Sequence, residues 1–274
     1  MLIESRVEHP LLPFRVFLNR TRASSFVAMF LAPAAMFAMF YFLSLYIQNV
    51  MGYSPLKAGL AFLPFSFGIV VAAGLASHLV NRIDARYLAG VGTLMAAGAL
   101  LGFSRLPYDT TFPATDVTGS YLTDILPFIL LMSFGMGMTF VPVTLTAVHH
   151  LRNEDSGIGS GVLNTMQQVG GALGLAVLST VALQFTNSRA DEIAGPLKNG
   201  FTQAGIDPTT PVPGTDSTLF DIGIFQGSFT SGASAAFLVG AFMMVAASAV
   251  IWIFLNVKHT ELATDAAEGP VHVG

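Results

Sequence analysis

Three side-chain amides sit close together in a stretch that carries no charge. Asn164, Gln167 and Gln168 fall within Ser156 to Ser188, thirty-three residues free of Asp, Glu, Lys and Arg. Amides are neutral donors and acceptors, suited to hydrogen-bonding a ligand or water rather than to nucleophilic attack. Asn164 and Gln168 are four apart and Asn164 and Gln167 three apart, so on a helix all three occupy neighbouring parts of one surface. An amide turned to hydrocarbon would leave its donors unsatisfied, so that surface should meet protein or a wet cavity. Interhelical bonds that only fix packing are the other reading of the same amides.

No enzymatic constellation accompanies them. The chain has no HExxH, no P-loop and no nucleophile elbow, and no ionisable carboxylate or amine falls near the middle of an apolar run. His149 and His150 are adjacent, so on a helix they point about 100° apart and cannot share a metal as His at i and i+4 can. They and His78 read as markers of helix ends. The expectation is a protein that is not an enzyme and uses no metal and no cofactor. With no cysteine, disulfides and thiol chemistry are excluded.

The elements that must position the amides are membrane helices. Charged residues make up 10% of the chain against about 25% in a soluble domain, and hydrophobic residues make up 53%. Six charge-free runs of at least 18 residues reach the range that crosses a hydrocarbon core: 23–56, 58–81, 87–104, 125–151, 156–188 and 222–257. Turn signals narrow these to spans near 24–48, 57–80, 87–106, 124–148, 158–185 and 231–256. Phe26 to Leu45 is apolar all round apart from Ser44, which excludes the alternation of a lipid-exposed barrel. The predicted fold class is all-α integral membrane, one bundle of six helices over 24–256.

Lys and Arg set the expected orientation. With both ends cytoplasmic, the inside holds Arg6, Arg15, Arg20, Arg22, Arg82, Arg86, Arg152 and Lys258, and the outside holds Lys57, Arg105, Arg189 and Lys198. Two of the outside four lie in the long 186–230 loop, whose charges count little, so both termini are expected inside. Residues 1–23, with no secretory signal, read as an amphipathic segment lying against anionic lipid, and 257–274 as a cytoplasmic tail. The loops at 107–123 and 186–230 read as solvated spacers without a folded domain.

Small residues and prolines suggest how the helices meet. Gly157 and Gly161, Gly170 and Gly174, and Gly98 and Gly102 are each four apart, a spacing that lets a second backbone settle close. Pro33, Pro64 and Pro142 each fall inside a predicted span and are expected kink sites. Among 23 phenylalanines and 12 methionines, the clusters containing Phe37, Tyr41, Met132 and Met136 place soft, adaptable groups on the first and fourth helices. Such groups suit varied hydrophobic ligands, although most must pack against lipid or neighbours.

The run Met51-Gly52-Tyr53-Ser54-Pro55-Leu56-Lys57-Ala58-Gly59-Leu60-Ala61-Phe62-Leu63-Pro64 resembles the major facilitator superfamily. More narrowly, it resembles a segment joining two helices in the C-terminal half of fourteen-helix drug:proton antiporters of the EmrB/QacA type. Pro10 to Arg15, the loop Arg82-Ile83-Asp84-Ala85-Arg86, and Ser160 to Gly174 follow in that family's order.

The resemblance covers nearly the whole chain but about half of a transporter. It implies a bacterial inner-membrane protein that exports hydrophobic or amphipathic drug-like compounds by alternating access. Its proton coupling would need an N-terminal half upstream of Met1. The implied partners are membrane lipid, a small hydrophobic or cationic substrate, and a six- to eight-helix half or another copy, with no nucleic acid. Asn164, Gln167, Gln168, Phe37, Tyr41, Met132 and Met136 are the expected substrate-pathway residues, and the paired glycines and the three prolines the packing and hinge elements. A uniporter or permease of the same superfamily, or a non-transporting remnant or partner, are the alternatives.

Overall fold

The computed structural model describes residues 19–107, 119–149, 156–211 and 217–260. The segment before residue 19, His150, most of the 107–123 loop and the tail beyond 260 lie outside the described residues.

Among the described residues, six helical spans are long and apolar enough to cross a membrane: Arg20–Val50, Pro55–Leu79, Ala85–Phe103, Tyr121–Val148, Gly157–Gln203 and Leu219–Phe254. No strand occurs among the described residues beyond an isolated bridge between Pro211 and Thr218. The helices are α1 (Arg20–Leu45), α2 (Pro55–Ala61), α3 (Leu63–Leu79), α4 (Ala85–Phe103), α5 (Leu126–Val148), α6 (Ser156–Gln203) and α7 (Leu219–Phe254).

Local chemistry sets several of these ends. The side-chain oxygen of Asn19 accepts the Thr21 and Arg22 amides at 3.0 and 3.2 Å and so caps α1. Gly52, at φ +68°, turns the chain after α1. Ser54 caps α2 through the Lys57 amide, and Pro55 occupies the first turn, where its missing N–H costs nothing. The second span is broken at Phe62. The sequence pattern places Pro64 inside a span as a kink site; it lies instead in the first turn of α3, just after the break, while Pro33 and Pro142 are interior to α1 and α5 as expected.

Two spans carry a π-helical turn at the same end of the bundle, Tyr46–Val50 continuing α1 and Tyr121–Ile125 leading into α5. Each begins with a tyrosine whose hydroxyl satisfies a backbone carbonyl on another segment. Tyr46 donates to the Pro107 carbonyl at 2.6 Å and Tyr121 to the Ala61 carbonyl at 2.7 Å. At the break the Phe65 amide bonds to Phe62, which frees the Ala61 carbonyl for Tyr121.

The stretch 186–230 differs from the spacer expected of it. Helix α6 continues to Gln203 and α7 already starts at Leu219. Charge marks where an apolar run ends, but Arg189, Asp191, Glu192 and Lys198 do not prevent a helix from continuing into water. Arg189 pairs with Glu192 one turn on. Phe201 is fully buried and meets Phe220 at 6.1 Å between ring centroids, so the two extensions pack on each other. Thr218 and Asp221 form a reciprocal capping box that starts α7.

Helix α1 is the centre of the bundle, packing on α5, α6 and α7, while α4 packs on α5 and α7 and α3 on α5. The larger core cluster gathers Met39, Phe42, Leu43, Tyr46, Phe103 and Phe237 near the end with the two tyrosine bonds. A smaller cluster around Phe26, Met29, Val143 and Ile251 closes the other end.

Candidate functional site

The surface shared by α1 and α6 exists because α6 supplies glycines where α1 approaches. A Cβ at Gly170 would overlap the Phe30 carbonyl, one at Gly174 the Cβ of Ala34, and one at Gly171 the ring of Phe37. Gly170 and Gly174 therefore seat the backbone of α1 directly on α6. Gly171 does something further, since the Phe37 ring rests in the space its missing side chain leaves.

Beside this contact lies an open cavity of about 500 Å³ lined by Phe37, Phe40, Tyr41, Ser44, Leu45 and Leu175. Its walls are nearly all apolar. Phe40 is fixed from behind by an edge-on contact with Phe65 at 4.8 Å, and Tyr41 by one with Phe42 at 5.1 Å. The Ser44 hydroxyl is engaged by the Gln48 amide at 2.8 Å. Phe37 and Tyr41, expected to line the substrate pathway, are thus brought together one turn apart on the accessible side of α1. Such a wall accepts flat or bulky apolar groups, and its ring faces also attract an organic cation.

The three amides separate. Asn164 and Gln168 are exposed, whereas Gln167 is half-buried and turns toward α1, its Nε2 3.5 Å from the Met29 sulfur. Asn164, Gln168, Gly171 and Leu175 follow the i, i+4, i+7, i+11 pattern of one helix face, so the exposed amides lead along α6 into the aromatic cavity.

The other expected residues fall elsewhere. Met132 and Met136 are fully buried in the main core and do not reach the cavity, because the side of α5 that carries them faces its neighbouring helices. A Cβ on Gly157 or Gly161 would meet nothing within 4 Å, so that pair packs on no described part of this chain. Gly102 lies under the Phe128 ring, and Gly98 is more open, with Leu131 3.6 Å from a hypothetical Cβ. No group of three or more His, Asp or Glu suited to a metal occurs among the described residues.

Three polar contacts went unread in the sequence. Arg22 is buried, and its Nη2 donates to the His149 carbonyl at 3.0 Å. One turn on, the Ser25 and Thr146 hydroxyls meet at 2.8 Å, fastening α1 to α5. Between α3 and α4, Asp84 Oδ1 accepts the His259 amide and contacts its ring Nδ1, both at 2.8 Å. The backbone and side-chain hydrogen bonds from His259 hold the Asp84 carboxyl below the usual carboxylate range. Arg22 reads in the sequence only as a topological charge, and no local signal marks it as buried.

Residues 3–175 match the Major Facilitator Superfamily, and this chain belongs to that family. It is 35% identical over 272 residues to the puromycin resistance protein pur8 of Streptomyces alboniger, covering 98% of this chain and 47% of that protein. It is 33% identical to a lincomycin resistance protein of Streptomyces lincolnensis, over 65% of this chain and 35% of the relative. Similarity to the tetracenomycin C resistance and export protein of Streptomyces glaucescens is 28%, over 92% of this chain and 47% of the relative. The chain spans about half or less of the length of these relatives. With six apolar spans and bacterial relatives, it is a multi-pass protein of a bacterial inner membrane.

Proposed function

We propose that this chain forms one half of an exporter of hydrophobic or amphipathic drug-like compounds, working by alternating access and with both termini in the cytoplasm. The observation that carries the reading is the continuous face of α1 and α6. There, exposed Asn164 and Gln168 lead into a cavity walled by Phe37, Phe40 and Tyr41. Amide stripes are unfavourable against lipid, so this face is suited to a wet pathway completed by a second half. The names of the relatives, which include antibiotic resistance and export proteins, support the same substrate class.

The second half would cover α3 and the outer faces of α6, including the open Gly157 and Gly161 pair. It would also supply proton coupling. Among the described residues, no acidic side chain lies within the charge-free runs of the spans: Asp124 and Asp221 lie in the first turns of their segments, and Asp191 and Glu192 lie on the extension of α6 beyond its apolar run. A transporter of this kind needs no enzymatic chemistry of its own.

The test places the chain in vesicles with and without a candidate N-terminal half, imposes a pH gradient and follows efflux of a lipophilic cation dye. Gradient-driven efflux is expected only with both halves. Efflux by the 274 residues alone would show that coupling resides here, and no efflux from either preparation would reject the export reading.

A further inference from the structure

A second cavity, of about 350 Å³, opens between α4 and α5 and is lined by Gly98, Leu101, Gly102, Arg105, Asp124 and Phe128. Its residues sort by depth. Arg105 lies just beyond the C-terminus of α4, and Asp124 lies in the π-helical turn that leads into α5, so the two opposite charges mark the same end of the bundle. Gly98, inside α4, is seven residues before Arg105 and so about 10 Å deeper at about 1.5 Å per residue. The cleft therefore has a charged mouth at headgroup level and an apolar floor that runs toward the acyl region.

Both charges are available to a ligand. Arg105 is exposed and forms no ion pair among the described residues, with Asp124 or any other group. Asp124 accepts the Ser120 amide at 2.7 Å and the Thr123 hydroxyl at 3.0 Å. A carboxylate offers about four lone-pair sites, so two remain. At Gly98 the floor is shaped by the missing side chain, with Leu131 3.6 Å from where a Cβ would stand, and it is walled by the Phe128 ring over Gly102.

We propose that this cleft binds one zwitterionic aminophospholipid, with its phosphate on Arg105, its primary ammonium on Asp124 and an acyl chain lying along Gly98, Leu101 and Gly102. The guanidinium fork matches phosphate oxygens, and a primary ammonium donates hydrogen bonds to a carboxylate that a quaternary choline cannot. Charge complementarity at the mouth selects the headgroup, and the apolar floor selects a lipid over a soluble zwitterion.

The experiment reconstitutes the full chain in nanodiscs of equal phosphatidylethanolamine, phosphatidylcholine and phosphatidylglycerol. Native mass spectrometry then measures the lipid retained on release. Retention of phosphatidylethanolamine about ten-fold above phosphatidylcholine is expected, since one charge-assisted hydrogen bond distinguishes them. Arg105→Gln should remove most of that retention, and Gly98→Leu should do the same by filling the floor with both charges intact. Arg105 lies beyond the helix and its side chain makes no hydrogen bond or ion pair among the described residues, so its variant should fold. Equal retention of the ethanolamine and choline lipids, preference for phosphatidylglycerol, or retention unaltered by Arg105→Gln would each overturn the proposal.

Discussion

Nη2 of Arg22, at the start of α1, lies 3.0 Å from the carbonyl oxygen of His149, the C-cap of α5, although the two residues are 127 positions apart. A cation at the C-terminal end of a helix meets carbonyls with no partner inside the helix and the negative end of its dipole. Arg22→Ala should lower stability by about 1.5–3 kcal/mol, the range for losing a hydrogen bond made by a charged group. Thermal unfolding in detergent, followed by size-exclusion of the surviving monodisperse fraction, measures this. Arg22→Lys should recover part of the loss, and equal melting of all three proteins would show that the contact contributes nothing.

The paired glycines should divide into two classes. Gly170→Ala and Gly174→Ala place a methyl against the backbone or Cβ of α1, which cannot move aside, and should cost about 1–3 kcal/mol through overpacking. Gly157→Ala and Gly161→Ala meet nothing within 4 Å and should leave the isolated chain as stable as before. If a second half packs there, the latter pair should weaken co-purification with it. Comparing melting temperature with pull-down yield separates the two effects.

Tyr121→Phe removes the hydroxyl that satisfies the Ala61 carbonyl at the break between α2 and α3. The expected loss is about 0.5–1.5 kcal/mol, confined to that break. Hydrogen exchange should quicken at the amides of residues 62–66 while those of α5 keep their protection. Unchanged exchange there would mean that the break is held by packing alone.

At the cavity, Phe37→Ala and Tyr41→Ala should reduce efflux of a lipophilic aromatic cation more than that of a neutral compound of similar size, because each ring face attracts positive charge. Asn164→Ala and Gln168→Ala should change substrate range or rate with little change in the amount of folded protein. Parallel loss of activity and folded protein would instead assign these amides to packing.

The Asp84 contact carries a pH dependence of known sign. Hydrogen bonds from His259 lower its carboxyl pKa in the folded chain. A lowered value means that the contact is fully present above the ordinary carboxylate pKa of about 3.9 and is lost as pH falls through the lower folded value. Protection of the His259 amide against exchange should therefore persist through mildly acidic pH and fail only below the usual carboxylate range. Asp84→Asn should weaken that protection throughout.

Much of the fold was legible because hydrocarbon imposes a simple rule. Every backbone group must bond within its own helix, so a long apolar run without charge has one solution. That logic finds six spans and excludes strands, and it singles out Asn164, Gln167 and Gln168 as side chains that need a polar neighbour, although Gln167 turns to the Met29 sulfur instead. It fails at 186–230, where leaving the membrane and leaving the helix are different events. Ser156 to Gln203 continues as one helix past its first charge at Arg189.

The sequence by itself determined which segments are helical membrane spans, that the interiors of those spans are neutral, and which small residues could bring helices together. Tertiary structure alone decided which faces meet. Met132 and Met136 went into the core, Phe37 and Tyr41 to a shared cavity, and Arg22 to a carbonyl at the far end of another helix. The reason is physical. Transfer into lipid depends on each segment's own composition, whereas an apolar side chain is accepted equally well by lipid or by protein. Its orientation is settled only by close packing between helices distant in the chain.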